Sequence, residues 1–295
     1  MLRALETLPG GNLVQRRIHR AILALVTFSA GATLAQAPTK LELPRPSPKG
    51  SVTQTVGLTE ITVAFSSPGV KGRKIWGEVV PFDKVWRAGA NECTKLTVST
   101  PIAIEGKPLA AGSYCVFLLP QKSGWTFIVS KNLEQAGSDE YKQSEDALRV
   151  PATASTIPLR ERLAFTVIDF DEEKGTLAME WETQRVGVKF TTGTHEKVMA
   201  QIRALKSDDW GQYNAAARYL LGNATEPALA MQLVDRSIKL KETWNNVWTK
   251  AQLLHAAGKD SDALALAQKA QTMGKASKNF FAADDVSKAL VSWKK

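Results

Sequence analysis

Two periodicities divide this chain. Between residues 51 and 192 apolar residues alternate with polar ones in short runs, the period of a strand with one buried face. Glu60-Ile-Thr-Val-Ala-Phe65 places Ile61, Val63 and Phe65 on one face, and Lys95-Leu-Thr-Val98 does the same with Leu96 and Val98. Residues 102–104, 114–119, 125–129, 163–170, 176–181 and 186–190 follow the same rule. Turn-forming strings separate them: Glu105-Gly-Lys-Pro108, Ala111-Gly112, Ser123-Gly124 and Glu173-Lys-Gly175. Many short strands at such intervals predict an all-β domain, a sandwich of jelly-roll-like outline or a barrel. Residues 132–156 lack the alternation and are expected to include a long loop.

Past Gly193 the period lengthens. Trp210 and Trp244 stand 34 residues apart, as do Ala217 and Ala251, and Leu220 and Leu254. The string Ala228-Leu-Ala230 recurs 35 residues on as Ala263-Leu-Ala265, and a third partial copy is expected near Asn279. Helix pairs at this period are similar to the tetratricopeptide class, with Ala251, Gly258, Ala263 and Ala270 where close helix packing needs small residues. An unrelated helical hairpin bundle is the alternative. The fold class expected is α+β multidomain: an all-β sandwich followed by a small all-α helical-repeat domain.

The N-terminus has the three-part form of a secretory signal. Arg16-Arg17-Ile18-His19-Arg20 precedes an apolar run from Ala21 to Phe28, then small residues to Ala35-Gln36-Ala37. Cleavage is expected after Ala35, because a cut after Ala37 would put the substituted nitrogen of Pro38 at the scissile bond. The apolar stretch is shorter than the ~20 residues a spanning helix needs, so the mature chain is not expected to be an integral membrane protein. Pro38, Pro44, Pro46 and Pro48 make the following stretch an extended tether. The expected organisation is a signal peptide (1–35), a linker (36–50), a β domain (51–192) and a helical domain (194–295), in a periplasmic or secreted protein.

Charge changes this picture little. The formal net charge is +9, and residues 1–35 hold four arginines against one glutamate, so the mature chain carries +6. The remaining cations are dispersed, whereas nucleic-acid binding calls for a concentrated stripe; nucleic acid is not an expected partner. Only two cysteines occur, Cys93 and Cys115, each in a β-like run. After export they could join neighbouring strands, a cross-link worth about 3 kcal/mol; two free, buried small hydrophobes are the alternative. No C-x-x-C motif is present, which argues against thiol redox catalysis.

The histidines are His19, His195 and His255, none within the β region. That argues there against a Ser-His-Asp or Cys-His nucleophile and a histidine-based metal site. No glycine-rich phosphate loop or dinucleotide fingerprint follows a strand, and no cofactor is called for. Asp169-Phe-Asp171-Glu-Glu173 lacks regular Ca²⁺-ligand spacing and reads as a solvated turn. Glu78, Asp83, Glu92 and Glu105 are candidates for paired-carboxylate hydrolysis, a chemistry decided by through-space separation.

The densest stretch is Gly72-Arg-Lys-Ile-Trp76-Gly-Glu-Val-Val-Pro81-Phe-Asp-Lys-Val-Trp86-Arg87-Ala-Gly-Ala-Asn91-Glu92. With Leu109-Ala-Ala-Gly-Ser-Tyr114 and Trp125-Thr-Phe-Ile-Val129 it closely resembles the bacterial family known as domain of unknown function 2911, over about residues 47–190. The resemblance implies export and a helical-repeat tail, and implies no activity. Cys93 and Cys115 stand where the family carries small residues, and their joint change is what a disulfide added to a shared scaffold would look like.

Trp76, Trp86, Arg87, Asn91 and Glu92 form the candidate ligand site. Arg87 offers a planar fork of donors suited to a carboxylate or phosphate, and Asn91 can both donate and accept. Beside aromatic walls such groups suit a carboxylate-bearing or sugar-like small molecule, or a peptide. In the alternative, Arg87 pairs internally with Glu92 or Asp83, Asn91 holds a turn, and the tryptophans fill the core. The function expected first is an exported, non-catalytic binding module whose helical repeats take a protein partner. A structural envelope-assembly protein comes second, and a carboxylate-dependent hydrolase of envelope glycan or peptide third.

Overall fold

The structure is a computed structural model describing residues 41, 43–135 and 137–294; the expected signal peptide and its cleavage point lie outside the described residues. The regular elements among these residues lie in one compact unit, from Arg45 onward.

Nine strands form one antiparallel sheet: β1 (Lys49–Val56), β2 (Thr59–Ser66), β3 (Thr94–Val98), β4 (Ile102–Ile104), β5 (Lys107–Leu109), β6 (Gly112–Gln121), β7 (Gly124–Ser130), β8 (Asp146–Ile168) and β9 (Lys174–Thr191). Their order is β1-β2-β3-β6-β7-β8-β9-β4-β5, a meander whose β4–β5 hairpin is carried to the far edge. The alternation in the sequence is the cause: Ile61, Val63, Leu96 and Val98 are all buried, and Phe65 packs against the same core.

The two longest strands fold the sheet over. The β8–β9 ladder slips register between Thr156 and Arg160 and again between Arg160 and Ala164, and such bulges bend a strand. Beyond the bend, β8 approaches β2. Leu163 N–H donates to Pro68 O at 3.0 Å, Ser67 Oγ donates to Leu163 O at 2.6 Å, and the Phe65 and Phe165 rings lie 5.4 Å apart. The inner faces therefore share one core in which Leu96 and Val116 join Leu163 and Met179. At the bend, buried Glu180 accepts from Arg160 at 2.7 Å and from Arg185 at 2.7 Å, which offsets the cost of hiding its charge.

Two expectations differ from this arrangement. Residues 176–181 and 186–190 are not two strands but parts of β9, and residues 146–156, expected within a long loop, open β8. Prolines and solvent exposure hid β8. Pro151 sits where β8 pairs with β7 before the β9 ladder begins at Thr153, and Pro158 falls inside the first register slip; both are places where a missing N–H is tolerated. The loop itself is residues 131–145, with two short 3₁₀ turns at Ser138–Glu140 and Gln143–Glu145. Lys49 and Gly50, in the stretch expected as a tether, pair with Ser66 and Phe65.

The described residues then form six helices: α1 (Thr194–Ala204), α2 (Trp210–Gly222), α3 (Pro227–Leu240), α4 (Trp244–Ala256), α5 (Asp260–Lys275) and α6 (Ala283–Ser292). The acidic turn between β8 and β9 starts them. Asp171 Oδ1 accepts the Glu173 and Lys174 N–H groups at 2.8 and 3.0 Å. The Glu173 carboxylate in turn accepts the first N–H groups of α1, from Thr194 at 3.0 Å and from His195, which satisfies orphan donors at the positive end of the helix. Lys197 Nζ donates to Thr100 Oγ1 at 2.7 Å and Pro101 O at 3.0 Å, joining α1 to the sheet.

Trp210 and Trp244 are both the first residue of a helix, and Ala217 and Ala251 are both fully buried, so α2 and α4 correspond at an offset of 34. The second helices correspond at 33: Ala230 with Ala263, Val234 with Ala267, and Ser237 with Ala270 are all fully buried. The Ala-Leu-Ala string at 35 instead matches exposed Ala228 with buried Ala263. The connection before α5 is one residue shorter than that before α3, which shifts the register. His255 is a packing residue, stacked on Trp293 at 4.2 Å and bonded to Asp260 at 2.6 Å.

Candidate functional site

The stretch between β2 and β3 builds the site. Residues 83–86 run along the edge of β6 that β3 leaves open: Asp83 N–H donates to Pro120 O at 2.8 Å, and Trp86 and Leu118 exchange two backbone bonds of 2.8 Å. The chain then departs from the sheet at residues 87–93 and returns to the same edge as β3, where Thr94 faces Val116. The Trp-Arg-x-Gly-Ala-Asn-Glu string is thus a loop pinned at both ends to one strand.

Local chemistry fixes that loop. Ala88 and Asn91 have φ of 51° and 59°, a left-handed conformation that Asn tolerates better than most residues. Arg87 Nη1 donates to Asn91 O at 2.6 Å across the loop, and Thr94 Oγ1 donates to Ala88 O at 3.0 Å. A Cβ on Gly89 would meet Thr94 Oγ1 at 2.9 Å and Ser66 O at 3.2 Å, so close approach requires glycine there. Asn91 Nδ2 donates to Ser47 O and Ser66 Oγ at 3.1 and 3.2 Å, tying the loop to the chain before β1. Cys93 and Cys115 are joined in a disulfide with Cα atoms 5.7 Å apart, anchoring the end of the loop to β6.

Beside the loop lies a cavity of about 480 Å³, within the ~300–1,000 Å³ usual for small-molecule sites. Trp86, Trp181, Val79 and Pro81 supply apolar wall; Arg73, Lys84, Arg87 and Asn91 supply polar groups, with Ser47 and Ser138 at the rim. The wall is stiff because four indoles lock together. Trp86 stacks on Trp181 (5.7 Å, 21°), and Trp76 meets Trp86, Trp125 and Trp181 edge-on at 6.0, 5.0 and 5.8 Å. Trp76 Nε1 donates to Glu182 Oε2 at 3.1 Å. Burial works to raise the Glu182 pKa, but hydrogen bonds from Thr183 and Trp76 outweigh it and hold the carboxyl below its ordinary value. Trp181 is fully buried, and its indole N–H has no acceptor among the described residues.

Of the candidate residues, Trp86, Arg87 and Asn91 line this cavity, while Trp76 lies behind Trp86 as support. Glu92 lies elsewhere, in a smaller recess with Lys49, Ser66 and Lys95. There it pairs with Arg45 at 2.9 Å and Lys49 at 3.4 Å. The hydrogen bond from Arg45 pulls the Glu92 pKa down to about 2. Its contribution to stability is therefore complete above its ordinary value near 4.5 and is lost as pH falls toward 2. Glu92→Gln should flatten that limb of the acid-stability curve, measured by urea midpoints from about pH 5 down to about pH 2. Identical curves for the two proteins would refute the assignment.

Sequence reasoning missed Ser47, Arg73, Lys84, Ser138 and Trp181. Arg73 and Lys84 lay within the dense segment and carried a readable signal as cations near its tryptophans. Trp181, from β9, and Ser138, from the 131–145 loop, reach the site only through the folding-over of the sheet.

Fold and site together define a folded-over antiparallel β domain with an aromatic, cationic recess, followed by helices. Residues 47–190 match the model of a family described as "Protein of unknown function (DUF2911)". The match runs from just before β1 to the penultimate residue of β9. No curated protein and no solved structure matches the chain.

Proposed function

We propose that this chain is an exported binding module. Its β domain holds a small ligand in the Trp86–Arg87–Asn91 cavity, and its helices, read as tetratricopeptide-like repeats, take a protein partner. One observation carries the ligand reading: the cavity combines stacked indole walls with three cations and a fixed amide, and no carboxylate lines it among the described residues. Three of the four candidate carboxylates are engaged elsewhere: Glu78 pairs with Lys74 at 3.3 Å, Glu92 with Arg45, and Glu105 accepts Lys189 N–H at 2.6 Å, while Asp83 does not line the cavity. This favours binding over carboxylate-dependent hydrolysis.

Export rests on the signal-like N-terminus. Two further observations support it: the Cys93–Cys115 disulfide suits an oxidising compartment, and no described helix is long and apolar enough to cross a membrane. The repeat reading is supported by the matched helix starts at Trp210 and Trp244. An apolar recess of about 310 Å³ between α2, α3 and α4, walled by Leu220, Pro227 and Leu253, offers a place for a partner side chain.

The test is a thermal-shift screen of the purified protein against sugars, peptides, nucleotides, organic acids and divalent ions, beside an Arg87→Ala/Asn91→Ala double variant. A ligand at about 100 times its dissociation constant stabilises by ~2.7 kcal/mol, which for a chain of this size raises Tm by roughly 5–10 °C. A shift present in the wild type and lost in the folded variant supports the reading. Silence across the panel, or a shift unchanged in the variant, overturns it.

A further inference from the structure

Arg73 and Lys84 make the cavity more specific than its shape. Arg73 sits where residues 69–73 turn back on themselves: its Nε donates to Val70 O at 3.1 Å and its Nη2 to Gly69 O at 2.5 Å. Two neutral carbonyls thus orient the guanidinium without cancelling its charge, and it forms no ion pair among the described residues. Lys84, one residue past the left-handed Asp83 (φ 60°), forms none either. Many other cations among the described residues also form no ion pair; what distinguishes Arg73 and Lys84 is that both line the cavity beside Trp86 and Trp181, where no carboxylate joins them.

The Trp181 indole N–H lacks an acceptor among the described residues, but it has no exposed surface, so it is a cost to the fold and not a contact offered to a ligand. The cationic groups of the lining donate hydrogen bonds and cannot accept them. A complementary ligand must therefore bring acceptors and negative charge at one end, and an apolar body to lie against Trp86, Val79 and Pro81 at the other.

We propose that the cavity binds an amphipathic organic oxyanion, a carboxylate or phosphate monoester on an aromatic or aliphatic body, with Arg73 and Lys84 supplying the charge that selects it. This rests on the reading of the cavity as the ligand site and adds the class of ligand. A bidentate fork suits both headgroups, and the experiment separates them.

The experiment is isothermal titration of the full chain with 3-phenylpropanoate, its neutral amide 3-phenylpropanamide, the cation 3-phenylpropylamine, phenyl phosphate and inorganic phosphate. Arg73→Gln and Lys84→Gln are the test variants. Lys278→Gln, exposed on the far helical segment, controls for net charge. The acid or the aryl phosphate should bind at least tenfold more tightly than the amide, and the amine not at all. Each test variant should erase most of that preference, and Lys278→Gln should change nothing. Preference for phenylpropanoate over phenyl phosphate, or the reverse, names the headgroup; inorganic phosphate should bind more weakly than its phenyl ester.

The proposal is overturned if the amide or amine binds as well as the acid, or if affinity for the anions is equal in wild type and both variants. It is also overturned if neither organic anion binds. A neutral compound from the wider screen whose binding is lost in the Arg87→Ala/Asn91→Ala variant would then leave the cavity as a ligand site and remove only its charge selectivity. Silence in both experiments would remove the site itself.

Discussion

Replacing Trp181 with alanine should cost about 3–5 kcal/mol, the usual range for truncating a buried large aromatic. Trp181 is 1% exposed and touches both Trp76 and Trp86, so its loss removes the surface on which the other two indoles rest. Chemical denaturation should show an early midpoint, and any ligand of the Trp86 cavity should bind poorly to whatever remains folded. Trp181→Phe separates the two roles of the side chain. It keeps an aromatic ring in the stack and deletes a buried donor that has no acceptor, so part of the lost packing is offset by the removal of a group costing about 1–3 kcal/mol to hide. The phenylalanine variant should therefore be clearly more stable than the alanine variant. Equal stability of Trp181→Ala and wild type would show that the indole cluster is not a structural unit.

Breaking the disulfide should be the second large effect. Cys93 and Cys115 are separated by 22 residues, and closing a loop of that size stabilises by about 3 kcal/mol on the chain-entropy account. Cys93→Ala/Cys115→Ala, or reduction of the wild type, should lower Tm by roughly 6–12 °C at the sensitivity expected for a chain of this length. Alanine is preferred to serine because Cys115 is fully buried beside Phe117 and Ile128, where a hydroxyl would lack a partner. The damage should not be uniform. Asn91 lies two residues from the bridge, so the variant should lose cavity binding at temperatures where the sheet remains intact by circular dichroism. Equal thermal stability of oxidised and reduced protein would refute a stabilising role for the bond.

Elements with one buried face were legible in the sequence. The alternation of Ile61 with Val63 and of Leu96 with Val98 sufficed to find β2 and β3, because each outward position was polar. β8 was not legible, since most of its residues between Thr153 and Arg162 are exposed and Pro151 and Pro158 interrupt the pattern. The join between residues 181 and 186 in β9 was hidden by Glu182-Thr-Gln-Arg185, polar residues at the bend that read as a turn. The site was legible in its local half. Trp86, Arg87 and Asn91 share one loop and were found together; Trp181 is distant in sequence and becomes a neighbour only through long-range pairing. Glu92 illustrates the limit of proximity in sequence: one residue from Asn91, it faces Arg45 and Lys49 instead.

The way residues 83–98 lie along β6 has an evolutionary consequence. Asp83 to Trp86 and Thr94 to Val98 are held by the same strand, so residues 87–93 are bracketed by two fixed anchors and contribute little to the ladder between them. Within the interval Gly89, Asn91 and Cys93 are fixed by their contacts with Thr94 and Ser66, with Ser47 and Ser66, and with Cys115, so only the positions between them can change without disturbing the sheet. On the binding reading proposed above, those remaining positions are where a lineage could alter selectivity while inheriting the same scaffold.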